Sequence, residues 1–495
     1  MIPETPTLQT NPNPGQANSE KQLLKIREMR DILEFELRKS ESAEDTLKPT
    51  TRAPGFEKES YQAHELRKEI EPWLTALFQS DHFSLLTGAG LTSAIHNCTT
   101  GKSPEGFACR SYAAFDEQIQ TEAKRSAQES GRGEPNPEDQ LRTALRIADG
   151  LRILIQCGTS KEPWKSIEAD STKLEDDIGE VIKELVTGVL NSERGIACLP
   201  GSEDLKIPVE SVKKREDALR LLVSFLMSFA SRTGTRDRLH IFTTNYDRLI
   251  EFGAELAGIR LIDRFIGSLT PIFRASRLDI DLHFNPPGIR GEPRYVEGVT
   301  RFTKLHGSLD WIDDEREVRR VGLPFGANSY EPYFPHGVQK VLIFPRDAKD
   351  RETTDYPYVE LHRDFAAALC RPNSVLVTYG YSFGDDHINR VIRDMLTVPS
   401  THLVIINYDD TPGRILRFYK GSKRASQISL LIGQHFGDLR NLVDYYLPKA
   451  AIDRASIRMT ELLRARGYGE KFTEDSPKSA PGGDGSQLSG NGEKM

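Results

Sequence analysis

The strongest constraint in this sequence is a set of short, predominantly apolar runs: Phe83–Leu86, Leu239–Phe242, Val341–Phe344, Val375–Val377 and Leu403–Ile406. A strand with one wet face alternates apolar and polar residues. Runs without strict alternation are covered on both faces, as parallel strands are. Helical patterns such as Phe365–Cys370 and Ile388–Leu396 lie between or after them. This order predicts an α/β fold, a Rossmann-like doubly wound parallel sheet with helices on both sides. In such a sheet, ligands bind outside the carboxyl ends of the strands, which makes the residues just after each run the first to inspect.

The same reading divides the chain. Residues 1–57 read as a disordered N-terminus, a charged helix from about Glu20 to Ser42 and a polar linker, Ala43 to Glu57. The helix rests on a stripe of Leu23, Leu24, Ile26, Met29, Ile32, Leu33 and Phe35. Residues 58–450 read as the main domain, with a helical insertion at about 95–238 broken by polar loops near Gly131–Glu138 and Pro200–Pro208. The stretch Asp263 to Thr303 carries four prolines and reads as loop-rich. Residues 451–495 read as a C-terminal helix and a flexible tail rich in Ser, Gly, Pro and Lys.

Composition removes several function classes. The 66 basic and 73 acidic residues leave a net charge of −7, which argues against direct nucleic-acid binding. Runs such as Lys213-Lys214-Arg215 read as solvated faces. No apolar stretch approaches the ~20 residues needed to span a bilayer, and no export signal opens the chain. The five cysteines, Cys98, Cys109, Cys157, Cys198 and Cys370, contain no C-x-x-C pair, so no metal site is expected. Dispersed thiols in odd number fit a reducing compartment, and the expectation is a cytoplasmic protein.

Five motifs occupy strand-end positions. Leu86-Thr87-Gly88-Ala89-Gly90-Leu91-Thr92 has the small residues that let a backbone turn tightly and present N–H groups to phosphates at a helix N-terminus. Phe242-Thr243-Thr244-Asn245-Tyr246-Asp247 brings polar side chains to the end of the second run, where Asp247 could equally be a helix cap. Lys304-Leu305-His306-Gly307-Ser308 sets a histidine among small neighbours that leave room for a substrate. Tyr379-Gly380-Tyr381-Ser382-Phe383-Gly384-Asp385-Asp386-His387-Ile388-Asn389 and Ile405-Ile406-Asn407 suit a phosphate or a ribose. Read alone, each is also an ordinary turn.

Their order is more specific than any one of them. Gly-Ala-Gly, Thr-Asn-x-Asp, His-Gly, Gly-x-Ser and apolar-Asn together resemble the motif series of sirtuins, over about Leu66 to Tyr446. The wording is most similar to the divergent bacterial sirtuin-like family that acts in antiviral defence. The resemblance implies NAD as substrate, with Gly88, Ala89, Gly90 and Thr92 at its phosphates. It puts Asn245 and Asp247 in the nicotinamide pocket, counts Thr244 among the cofactor-binding residues and makes His306 the catalytic histidine. Gly380 and Ser382 would touch the adenosine half, and Asn407 the adenine-side ribose. Departures bear on the reaction. Ser93-Ala94-Ile95-His96-Asn97 replaces Gly-Ile-Pro-Asp-Phe-Arg, Thr244 replaces a glutamine, and the four-cysteine zinc module is missing. Pro345-Arg346 replaces the Phe-Gly-Glu segment that helps bind an acyl-lysine peptide.

These losses favour water over acyl-lysine as acceptor, and the expectation is a NAD hydrolase with Asn245, His306 and Asp247 as catalytic residues. The alternatives are an NAD- or ADP-ribose-binding module that signals by assembly, and a protein deacylase. The chain has no P-loop. The family resemblance implies a homo-oligomer and, as a possible partner, a separately encoded HerA-like hexameric ATPase.

Overall fold

Four of the five apolar runs, all but Val341–Phe344, form the middle of an eleven-stranded mixed sheet in the computed structural model of the chain. The structure describes residues 21–449 except 28, 40–44, 52, 105–107, 130–132, 159–163, 198–208, 233–235, 277–279, 285–293, 315–316 and 335–355. The run Val341–Phe344, the loop Pro200–Pro208, residues 1–19 and the C-terminal helix and tail at 451–495 therefore lie outside the described residues. Contacts divide the chain into Met1–Pro448 and Lys449–Met495; the fold below is that of the first unit.

The strands are β1 (Lys21–Lys25), β2 (Leu33–Arg38), β3 (Thr46–Pro49), β4 (Tyr61–Gln62), β5 (His82–Thr87) and β6 (His240–Thr243). They continue with β7 (Arg260–Ile262), β8 (Val299–Lys304), β9 (Ser374–Tyr379), β10 (His402–Asn407) and β11 (Ile428–Ile432). Across the sheet they run β4-β3-β2-β1-β11-β10-β9-β5-β6-β8-β7. From β11 to β7 every pairing is parallel. The chain crosses from β5 to β6 on one side and later places β9 on the other, so the loops after β5 and β9 part at a switch point.

Both faces are covered, which explains the lack of polar alternation. Val375, Val377, Val404 and Ile406 pack with α1 (Ala63–Phe78), α2 (Ala89–Thr100), α6 (Val209–Ala230) and α7 (Leu249–Leu256). Leu376, Leu403 and Ile405 face α8 (Tyr358–Leu369), α9 (Asp386–Met395) and α10 (Arg414–Ser422). The α/β expectation holds.

The stretch between β5 and β6 has two parts. Its ends, α2 and α6, belong to the sheet's own helical layer, with Leu91, Ile95, Leu222, Phe225 and Phe229 in the main core. Between them, α3 (Asp116–Glu129), α4 (Pro137–Cys157) and α5 (Trp164–Ala197) enclose a second core around Ile119, Leu141, Leu174, Ile178, Leu185 and Leu190.

The N-terminal helix expected over Glu20–Ser42 is not formed; β1 and β2 pair there as an antiparallel hairpin, and β3 crosses the expected linker. The reason is tertiary. Strand β1 adds antiparallel to β11, with Leu23 opposite Ile432. The buried Lys25 ammonium donates to the carbonyls of Ala425 and Ile428, at 2.6 and 2.8 Å. Phe35 lodges edge-on against Phe56, Tyr61 and Phe436. A sheet edge that must be covered outweighs a helical stripe in a short segment. Leu33-Glu34-Phe35-Glu36-Leu37-Arg38 in fact alternates strictly, the period of a strand.

Candidate functional site

Strand register places the candidates. Ile406 pairs with Tyr379, Tyr379 with Thr87, Thr87 with Thr243, and Thr243 with Lys304. These residues, at or one short of the end of each strand, thus form one row across five strands, roughly 19 Å at ordinary strand spacing. Asn407, Gly380, Gly88, Thr244 and Leu305 leave that row together, and His306 follows Leu305.

All the residues singled out from sequence line one cleft along this row: Gly88, Ala89, Gly90, Thr92, Thr244, Asn245, Asp247, His306, Gly380, Ser382 and Asn407. Its volume is about 1580 Å³, above the range of about 300–1,000 Å³ usual for small-molecule sites. One wall is the second core's helices: Lys183, Glu184, Thr187, Gly188, Asn191 and Ser192 from α5, with Asn136 and Glu138 at the start of α4. Sequence gave no signal for these, because nothing local in an amphipathic helix tells which turn will face a distant strand end. Asp385 and Tyr408, which stand within or beside the strand-end motifs without an assigned role, also line the cleft, as do Arg414 and Asp438, for which sequence gave no signal.

The floor is backbone against backbone. Gly90 N–H donates to Gly380 O at 3.1 Å, and Gly88 N–H to Tyr379 O at 3.0 Å. A Cβ on Gly88 would lie 2.5 Å from Gly380 O, and one on Gly90 2.5 Å from Gly380 Cα. Gly380 itself has φ +62°, in the left-handed region. The glycines let the two diverging turns touch, and they leave the first turn of α2 open to the cleft.

Above this floor sits a hydrogen-bonded trio. Asn245 is buried, and its amide donates to Gly88 O at 3.1 Å and to Thr92 Oγ1 at 3.0 Å. Thr92 Oγ1 in turn donates to Asp247 Oδ2 at 2.7 Å. With both amide hydrogens committed, Asn245 Oδ1 is the atom left to accept from a ligand. Asp247, one residue before the N-cap Arg248, accepts through Oδ1 from the first N–H of α7, Leu249, at 3.0 Å, while its other oxygen holds Thr92.

Two buried cations fix the turn that carries the trio. Lys304 donates to the carbonyls of Tyr246 and Asp247 and pairs with Glu251 at 3.2 Å. Arg248 donates through Nε to Glu193 of α5 at 3.1 Å and through a terminal nitrogen to Pro324 O at 2.9 Å. Glu193 also accepts from Arg248 N–H at 2.9 Å and Gly326 N–H at 3.1 Å. Burial raises the Glu193 carboxyl pKa, and Arg248 opposes that shift.

His306, half-buried, follows the strand next to the one that carries Asn245 and lies 6.4 Å from Tyr246 between ring centroids. Its Nε2 is buried without a hydrogen-bond partner. Behind it, His387 of α9 lies 5.6 Å away and His362 of α8 4.8 Å beyond that, centroid to centroid. Burial, and then His306, hold the His387 imidazole down to about 4. Among the described residues, no group of three or more His, Cys, Asp or Glu side chains is arranged to hold a metal. No helix of the described residues is long and apolar enough to cross a membrane.

A parallel α/β sheet with a glycine floor and polar residues in one row at a switch point defines a protein of the doubly wound α/β class, with its cleft where such folds hold ligands. Residues 239–424 match the family described as SIR2-like domain, which supports a sirtuin-like family and NAD-related chemistry for the chain. The match runs from just before β6 to just past α10 and excludes β5 and the Gly88–Gly90 turn, which the structure packs directly onto Gly380 within it. No curated protein gives a significant match.

Proposed function

We propose that the chain is a NAD hydrolase that cleaves the nicotinamide–ribose bond with water, giving nicotinamide, ADP-ribose and a proton. The observation that carries this is the trio of Asn245, Thr92 and Asp247, which commits both Asn245 amide hydrogens and leaves Oδ1 as an aimed acceptor. The residues present fit the dinucleotide: the cleft follows the strand-end row, and its glycine floor has no space for a Cβ. The first turn of α2 and Gly380 would hold phosphates, while Ser382 and Asn407 would bind the adenosine side.

The pyridinium of NAD supplies its own leaving group, a neutral amine that needs no acid. The task of the protein is therefore to stabilise developing positive charge on the ribose and to deliver a nucleophile. Asn245 Oδ1 orients a water, or a ribose hydroxyl, by accepting its hydrogen. His306 takes the proton that water loses as its oxygen bonds the anomeric carbon. Asp247 fixes Thr92, and through it Asn245; its part in holding the carboxamide is a further element of the proposal. Motif likeness, together with the lost zinc module and peptide segment, supports water over acyl-lysine. It also supports a role in antiviral defence by NAD depletion, acting as an oligomer beside a HerA-like ATPase.

The test is nicotinamide and ADP-ribose release by the purified full chain, with and without its neighbouring gene products. Asn245→Ala and His306→Ala should each lose about 100-fold or more. Full cleavage by both variants would overturn the assignment, and tight NAD binding without turnover by the unaltered protein would favour the sensing module.

A further inference from the structure

We propose that His387 is a positioning residue for His306, fixing its tautomer within a file of three imidazoles, His306, His387 and His362, that runs from the cleft into the layer of α8 and α9. The three come from separate elements: the turn after β8, the first turn of α9 and the middle of α8. His306 Nε2, His387 Nε2 and His362 Nδ1 are each buried with no hydrogen-bond partner. A buried nitrogen without a partner forfeits its hydration, so three in one file call for a common explanation.

Mutual hydrogen bonding supplies it. A neutral imidazole has one N–H and one lone pair, and because no direct bond joins these three, the file would pass donor to acceptor through one water between neighbours. His306 Nε2 is buried without a partner and His306 lines the cleft, so Nε2 is assigned to the file and Nδ1 to the cleft. To accept a proton at Nδ1, His306 must carry its hydrogen on Nε2, and His387, 5.6 Å away between centroids, is the neighbour whose lone pair would receive that N–H through one water. An orienting partner of this kind is what a catalytic imidazole requires.

His387 suits the task because it stays uncharged. Burial depresses its pKa most, followed by His306; Asp385 acts the other way, and Arg142 of α4 and Arg390 of α9 reinforce the depression. His362 is lowered first by burial, then by His387 and His306. A neutral His387 accepts an N–H without repelling the charge that His306 acquires.

The kinetic part of the test rests on the hydrolase reading, and the spectroscopic part does not. Nitrogen-15 histidine spectra of the full chain, with His306 assigned through His306→Gln, report its tautomer. His387→Leu should shift His306 away from the Nε2–H form, lower kcat about tenfold or more with KM within about twofold, and move the acid limb of the rate profile. His387→Gln, whose amide oxygen can accept, should restore most of both. If His387→Leu fails to fold, the tautomer in His387→Gln decides, and loss of the Nε2–H form there would overturn the proposal. A folded His387→Leu protein with an unaltered His306 tautomer would overturn it whatever the activity. A tautomer shift in a protein without NAD turnover would leave this proposal standing and defeat the hydrolase reading instead.

Discussion

Replacing Thr92 by valine tests the trio directly. The change preserves shape at a buried position and removes one hydroxyl. That hydroxyl accepts from Asn245 at 3.0 Å and donates to Asp247 at 2.7 Å. A neutral bond of this kind contributes about 1 kcal/mol net, and a bond to a charged group about 1.5–3 kcal/mol. Asn245 keeps its bond to Gly88, and the half-buried Asp247 can recruit water, so the loss falls short of the full sum. We expect destabilisation of about 2 kcal/mol, read from urea unfolding midpoints at constant m. The kinetic consequence has the same origin. Asn245 loses one of two anchors, Oδ1 is no longer held on a single aim, and the same ~2 kcal/mol in the transition state is about thirtyfold in kcat. Nicotinamide release at saturating NAD measures this, with KM little changed. Thr92→Ser retains the hydroxyl and should recover most of both losses. A Thr92→Val protein of unaltered stability and kcat would show that Asn245 does not depend on this bridge, and the site argument would fail with it.

Acid should unfold the protein through its buried histidines. Burial is the main cause holding His387, His402 and His435 down to about 4, against an ordinary value near 6.5. The unfolded chain therefore binds protons that the folded chain refuses. This stabilisation is complete above pH ~6.5 and is lost as pH falls toward 4, about 3 kcal/mol for each residue. The raised carboxyls of Asp364 and Asp410 offset part of the loss. Urea midpoints should drop steeply between pH 6.5 and 4.5, and a flat profile there would refute the account. At the cleft floor, Gly90→Ala puts a methyl 2.5 Å from Gly380 Cα and 3.0 Å from its carbonyl oxygen, so two backbones must separate. Calorimetry should show NAD binding weakened about tenfold or more, with destabilisation of about 1–3 kcal/mol; unchanged binding would mean that the floor does not touch the ligand.

What the sequence made legible follows from which interactions are local. Buried parallel strands announce themselves by composition, and the residue after each is fixed by chain continuity, so Gly88, Thr244, Gly380 and Asn407 could be placed before any fold was known. Their convergence needs only that parallel strands end on one side. Strand β11, Ile428–Ile432, was as apolar as the others but was not marked, and β8 lay at the end of a proline-rich stretch read as loop. The N-terminal segment was misread because Leu23, Leu24, Ile26 and Leu33 suit a helical stripe as well as a hairpin, and only the open edge of β11 decides between them. The site showed the same division. Asn245 and His306 sit in short motifs, whereas Lys304, Glu193 with Arg248, and His362 with His387 act through partners 53 to 76 positions away or across separate helices. A buried lysine that holds the Tyr246–Asp247 turn looks, in sequence, like any lysine before a histidine. The chemistry-bearing atoms were therefore legible and their supports were not. Since an amide or an imidazole acts only where its supports aim it, the variants that separate these readings are Thr92→Val and His387→Leu rather than further changes at Asn245 or His306.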